Sequence, residues 1–127
     1  MMAKIERYED LIAWQRARKL TASVYRLARD TGLKSDFGLR DQICRAAVSV
    51  MANLAEGFGR KANKDFAGFL YHAKASCLEV SSHLYVALDQ DYLSKPEFDK
   101  IYDGYNRVAG MITNLIRHLE QNPGARF

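Results

Sequence analysis

Two lines of polar residues run at helical spacing through otherwise apolar stretches. One is Gln42, Arg45, Ser49, Asn53, Glu56 and Arg60; the other is His72, Ser76, Glu79 and His83. Steps of three and four keep each line on one helix face. If the two segments fold back on each other about a turn near Ala62, partners have residue numbers summing to about 124–125. Arg45 then faces Glu79, Ser49 faces Ser76, Asn53 lies near His72, and Gln42 lies near His83. An Arg opposite a carboxylate makes a charge-assisted hydrogen bond. The residues Gln42, Arg45, Ser49, Asn53, Glu56, Ser76 and Glu79 thus read as a polar network that sets helix register, or as a solvated stripe. Glu79 and His83 are four apart and spaced to share a metal, but the Glu-x-x-His pairs of a di-iron bundle are absent and no second such pair exists. No metal and no cofactor is expected. No Ser or Cys has a base and an orienting acid at a suggestive spacing, which leans against an enzyme.

The second chemistry is that of phosphate binding. Residues 9–29 carry Arg16, Arg18, Lys19, Arg26 and Arg29, and the segment Gly57-Phe58-Gly59-Arg60-Lys61 carries two more cations. The glycines superficially resemble a phosphate loop, yet they follow a helix and stop it, whereas a true phosphate loop opens one. Backbone amides at the start of the next helix could accept a phosphate beside Arg60, Lys61 and Lys64; an ordinary solvated connection is the alternative. The net charge is +4 and the pI is near 9.1. The charge is uneven: residues 1–74 hold 14 basic and 8 acidic side chains (+6), and residues 75–127 hold 5 and 7 (−2). Such a distribution suits a polyanion. Candidate phosphate contacts are Arg16, Arg18, Lys19, Arg26, Arg60 and Lys61. They would read backbone and shape, since no base-reading motif is visible.

The elements that carry these residues are helices. The chain of 127 residues is one domain's worth, and 2 Pro and 8 Gly are too few turns for a many-stranded sandwich or barrel. Polar breaks near residues 29–36, 57–63 and 90–96 separate four amphipathic runs. The periodicity predicts helices over about 9–29, 37–58, 64–90 and 95–121. Core stripes are Trp14, Ala17, Leu20, Val24 and Leu27 in the first, and Leu39, Ile43, Ala46 or Ala47, Val50 and Leu54 in the second. The third offers Phe66, Leu70, Ala73, Cys77, Val80 and Leu84; the fourth offers Phe98, Tyr105, Val108, Ile112 and Leu119. Ser35 or Asp36 caps the second helix, Asn63 the third, and Ser94 with Glu97 forms a capping box on the fourth. Long helices with short connections give an all-α, antiparallel up-down-up-down four-helix bundle.

Cys44 and Cys77 sit inside apolar patterns without metal or redox spacing and read as small buried hydrophobes. No apolar run is long enough to span a membrane, and Met1 to Arg7 has no signal-peptide core; a cytoplasmic location is the expectation. Apolar residues point almost all around the second helix, and the third adds Tyr71, Leu78, Tyr85 and Tyr92 at seven-residue intervals. This surplus is either a wide core of small alanines or a homo-oligomer interface; the latter is favoured.

Asp10-Leu11-Ile12-Ala13-Trp14-Gln15-Arg16-Ala17, Gln42 to Val50, Asn53-Leu54-Ala55-Glu56-Gly57 and Phe69-Leu70 with Ala73, Ser76 and Glu79 resemble a known family. It comprises four-helix-bundle proteins encoded in intervening sequences of bacterial large-subunit ribosomal RNA genes, similar to accessory variability proteins of diversity-generating retroelements. The resemblance covers nearly the whole chain. The pattern departs at Ala75, where Gly is expected, and in the first connection, which lacks an expected Pro. The resemblance implies a bundle assembling into a ring, a pentamer, without catalytic activity. The retroelement relatives bind nucleic acid and a reverse transcriptase, which implies RNA, DNA or a protein as partner here.

Overall fold

The computed structural model describes residues 4–127; Met1, Met2 and Ala3, part of the segment read above for a signal peptide, lie outside the described residues. Four helices carry the fold: α1 (Ile12–Asp30), α2 (Phe37–Phe58), α3 (Asn63–Asp89) and α4 (Lys95–Gln121). Short 3-10 turns occupy Tyr8–Asp10 and Gly32–Ser35. No strand occurs among the described residues, and none of these helices is long and apolar enough to cross a membrane.

Cap chemistry explains most boundaries. Asp36 accepts from the Leu39 amide at 3.3 Å and starts α2. Ser94 and Glu97 exchange bonds with each other's amides, with Pro96 in the first turn of α4. At α1 the helix begins three residues later than periodicity suggests. The carboxylate of Asp10 instead accepts from the Glu6 and Arg7 amides and closes the preceding turn. These bonds hold that carboxyl below its ordinary range. Asn63 does not cap α3: Ala62 occupies that position without a side-chain bond, and the Asn63 side chain is engaged by the C-terminal tail.

Each helix packs on its two neighbours and closes a four-sided bundle: α1 on α2 and α4, α2 on α3, and α3 on α4. The contacts run in opposite directions along α2–α3 and α3–α4. Along α1, Thr21 meets Ala47 while Ala28 lies beside Arg40, and Leu20 meets Gly104 while Thr31 lies beside Glu97. Ser49 meets Ser76 and Gly57 approaches Phe69 across α2–α3. Tyr71 reaches Glu120, and Tyr85 meets Tyr102 across α3–α4. The bundle is therefore antiparallel, and the residue sum at Ser49–Ser76 is the one the polar lines require.

The core matches the apolar stripes with one shift. On α1 the fully covered residues are Ala13, Ala17, Val24, Leu27 and Ala28, while Trp14 and Leu20 are only half-buried. Trp14 lies edge-on to Tyr8 with the Arg18 guanidinium above its ring, and Leu20 rests against Gly104 on α4. On α2 the adjacent Ala46 and Ala47 are both buried, so part of the apolar surplus is absorbed by a wide core of small side chains. The α3 line is not absorbed: Tyr71, Leu78 and Tyr85 remain 53%, 58% and 50% exposed. Only Tyr92 turns inward, donating to Asp36 at 2.9 Å.

Candidate nucleic-acid interface

Because α1 buries one narrow face, Arg16, Arg18, Lys19 and Arg26 project to solvent. Arg60 and Lys61 are exposed on the α2–α3 connection. None of the six lies within ion-pair distance of a carboxylate among the described residues. They share this with Lys34, Arg45, Lys64, Lys100, Arg107 and Arg117, which are also exposed and unpaired, whereas Arg29 pairs with Asp30 at 3.0 Å and Arg40 with Asp41 at 3.8 Å. The Arg29 guanidinium holds the Asp30 carboxyl below its usual range. The six cations do not form one patch. The Thr21–Ala47 contact between α1 and α2 puts the start of α1 level with the end of α2. Arg16, Arg18 and Lys19 thus lie toward the bundle end that carries Arg60 and Lys61. Arg26 lies about two turns further along and borders a hollow with Asp30, Glu97 and Lys100.

At the same end the chain's last residues fold back. The Arg126 guanidinium donates to the carbonyls of Phe58 (2.9 Å), Arg60 (2.5 Å) and Lys61 (3.2 Å) and to Asn63 Oδ1 (3.2 Å). The Phe58 carbonyl lies at the end of α2, where helical partners run out, and those of Arg60 and Lys61 lie in the connection beyond it. The guanidinium also sits 4.9 Å from the Phe66 ring centre. Phe127 stacks on Phe58 and on His118, and His118 Nε2 meets the Arg126 carbonyl. Periodicity gave no hint of this clasp, because it lies beyond Asn122-Pro123-Gly124 in an irregular tail; only an Arg next to an aromatic, after a helix stop, marks it.

The polar lines meet in part. Ser76 Oγ donates to Ser49 Oγ at 2.9 Å, and Asn53 Nδ2 donates to Ser49 Oγ at 3.0 Å and to the Ser49 carbonyl at 2.9 Å. Asn53 and His72 border the same groove. Arg45 does not reach Glu79. The Glu79 carboxylate lies 3.6 Å from His83 on its own helix, while Arg45, Gln42 and Glu56 are exposed and join no side-chain hydrogen bond. The Glu79–His83 separation is too long for a hydrogen bond, and reaching Glu79 from Arg45 would require ordering a long side chain across the seam. Ala75 is exposed beside the groove, so the departure from Gly there leaves the helix contact intact.

The sequence model of the 23S rRNA-intervening sequence proteins matches residues 9–114. The chain belongs to the 23S rRNA-intervening sequence protein family. A crystal structure of a protein of unknown function from the S23 ribosomal protein family of Bacteroides thetaiotaomicron has the same fold. Its TM-score is 0.76 at 16% identity, covering 84% of this chain and 96% of that one. No curated protein matches the chain. The family match spans α1 to α3 and most of α4, and stops short of Arg126 and Phe127. Within this intervening-sequence protein, the clasp that closes the α2–α3 connection therefore comes from outside the matched region.

Proposed function

We propose that this protein is a non-enzymatic, cytoplasmic homo-oligomer that holds structured RNA through its phosphates. The observation that carries this reading is the surplus of exposed cations without carboxylate partners among the described residues, Arg16, Arg18, Lys19, Arg26, Arg60 and Lys61 among them. An unpaired surface cation can exchange its counterion for a phosphate without first breaking an ion pair. Each protomer offers only a few such contacts. Assembly multiplies them, because a second contact made from the same particle is intramolecular. Tyr71, Leu78 and Tyr85 form an exposed apolar line available for self-association, and Ile12, Tyr25, Phe37 and Val48 are exposed elsewhere on the bundle. The resemblance to retroelement accessory proteins favours a ring of five. The family's name makes large-subunit ribosomal RNA the first target to try, with DNA as the comparison.

Duplex RNA affinity measured between 50 and 200 mM salt tests the mechanism. With four to six phosphates engaged, log K should fall with log salt at a slope of roughly −4 to −5. A flat response overturns the reading. The exposed tyrosines also favour a second reading, a scaffold that docks another protein without touching RNA. A partner retained in a pull-down after nuclease treatment, with no RNA binding by the purified chain, would establish it.

A further inference from the structure

Beyond the basic connection the α2–α3 face opens into a polar groove. Small side chains at the helix contact leave a hollow of about 490 Å3, bordered by Ser49, Asn53, Phe69, His72, Ser76 and Glu79. It continues into a second hollow of about 420 Å3 that shares Phe69 and His72 and adds Arg60 and Lys64, with the carboxylate of Asp65 beside them. From Lys64 to Glu79 the track is ~22 Å long at the helical rise.

Its chemistry changes along that length. At one end Lys64 and Arg60 have no carboxylate within ion-pair reach among the described residues, and the Arg60 guanidinium sits over the Phe69 ring at 4.8 Å. An Arg resting on an aromatic presents a flat cationic shelf, a surface on which unpaired bases stack. In the middle, Ser49 and Ser76 share one hydrogen bond, so one of their two hydroxyl protons stays free, and Asn53 Oδ1 accepts from no described group. At the far end the Glu79 carboxylate has His83 alone beside it at 3.6 Å, and its side chain is half-exposed.

We infer that this groove holds a short single-stranded RNA segment and favours bases that present an amino group, guanine above all, over uracil. The inference rests on the phosphate-binding reading and assigns it a site. Phosphates lie at Lys64 and Arg60, and a base stacks on the Arg60–Phe69 shelf. A following base edge meets Glu79, whose two oxygens accept from adjacent N–H donors such as N1–H and N2–H of guanine. A duplex cannot enter, because its base edges are already paired and its A-form grooves present them at the wrong depth. An acidic peptide would suit the basic end but meets the carboxylate at the other.

The test uses the full chain and fluorescence anisotropy at fixed low salt. The probes are a labelled hexamer of alternating guanosine and adenosine, hexauridine, and duplex RNA. The purine hexamer should bind ~5–10-fold tighter than hexauridine. Glu79→Gln should abolish that preference while leaving duplex affinity unchanged, and His72→Ala should weaken both hexamers. Both positions are exposed, so the fold is retained, as circular dichroism will verify. Equal binding of the two hexamers, a preference that survives Glu79→Gln, or no hexamer binding while duplex RNA still binds, overturns the groove alone. Loss of duplex binding by the unaltered protein overturns the phosphate reading beneath it.

Discussion

Arg126 joins four acceptors from three stretches of the α2–α3 turn through one planar group. Truncation in Arg126→Ala leaves those carbonyls to water and strips a cation from Phe66. The expected cost is ~2–3 kcal/mol, read as a fall in denaturant midpoint. Arg126→Lys should recover only a minor part, since an ammonium cannot fork to the same set. The buried thiol and phenol give a second residue-scale expectation. Burial pushes Cys77 from its ordinary 9.0 up to about 12, and raises Tyr105 well above 10.0. Both groups keep their protons longer when folded than when unfolded, so the unfolded chain binds fewer protons in the alkaline range. Stability should hold below pH ~9 and then decline, by ~1.4 kcal/mol per pH unit for each group engaged. Urea midpoints at pH 8, 10 and 11 will show the decline, and Cys77→Ala should make its first part shallower.

At the scale of elements, three of the four helices were legible to within one residue at each end, because their boundaries are written in local chemistry. Phe37–Phe58 starts behind an Asp cap, and Lys95–Gln121 starts behind a capping box. The register of α2 against α3 was legible too, through Ser49 and Ser76. Two features were not. The Arg45–Glu79 pair failed because residue sums give the level of a side chain but not the cost of fixing it there. Asn63 failed as a cap because a tail residue some 60 positions away occupies its side chain, and nothing local records that. The closeness of α2 to α3 depends on Gly57. A Cβ there would stand 2.8 Å from Phe69 Cβ and 3.3 Å from the Phe66 carbonyl oxygen. Neither atom is the free end of a flexible side chain. Gly57→Ala gains ~1 kcal/mol in helix propensity but overpacks the seam by ~1–3 kcal/mol. A net loss of thermal stability is expected, together with a weaker Ser49–Ser76 contact about two turns away.

For the molecule as a whole, the decisive surface is the α3 line of Tyr71, Leu78 and Tyr85, which the protomer leaves uncovered. Leu78→Lys places a charge at its centre and removes no core atom. Light scattering should report assembly for the unaltered protein and a 14.5 kDa particle for the variant, with the helical signal unchanged. A 14.5 kDa particle for both would remove self-association from the proposed function. The tail bears on the whole molecule in time as well as in space. A chain emerges from the ribosome in order, and Arg126 follows Lys61 by 65 positions. The turn between α2 and α3 must therefore wait, with its carbonyls wet and Phe58 and Phe66 bare at one end, until α3 and α4 have both been made. The clasp at that end of the bundle can form only after the helices it joins have been made.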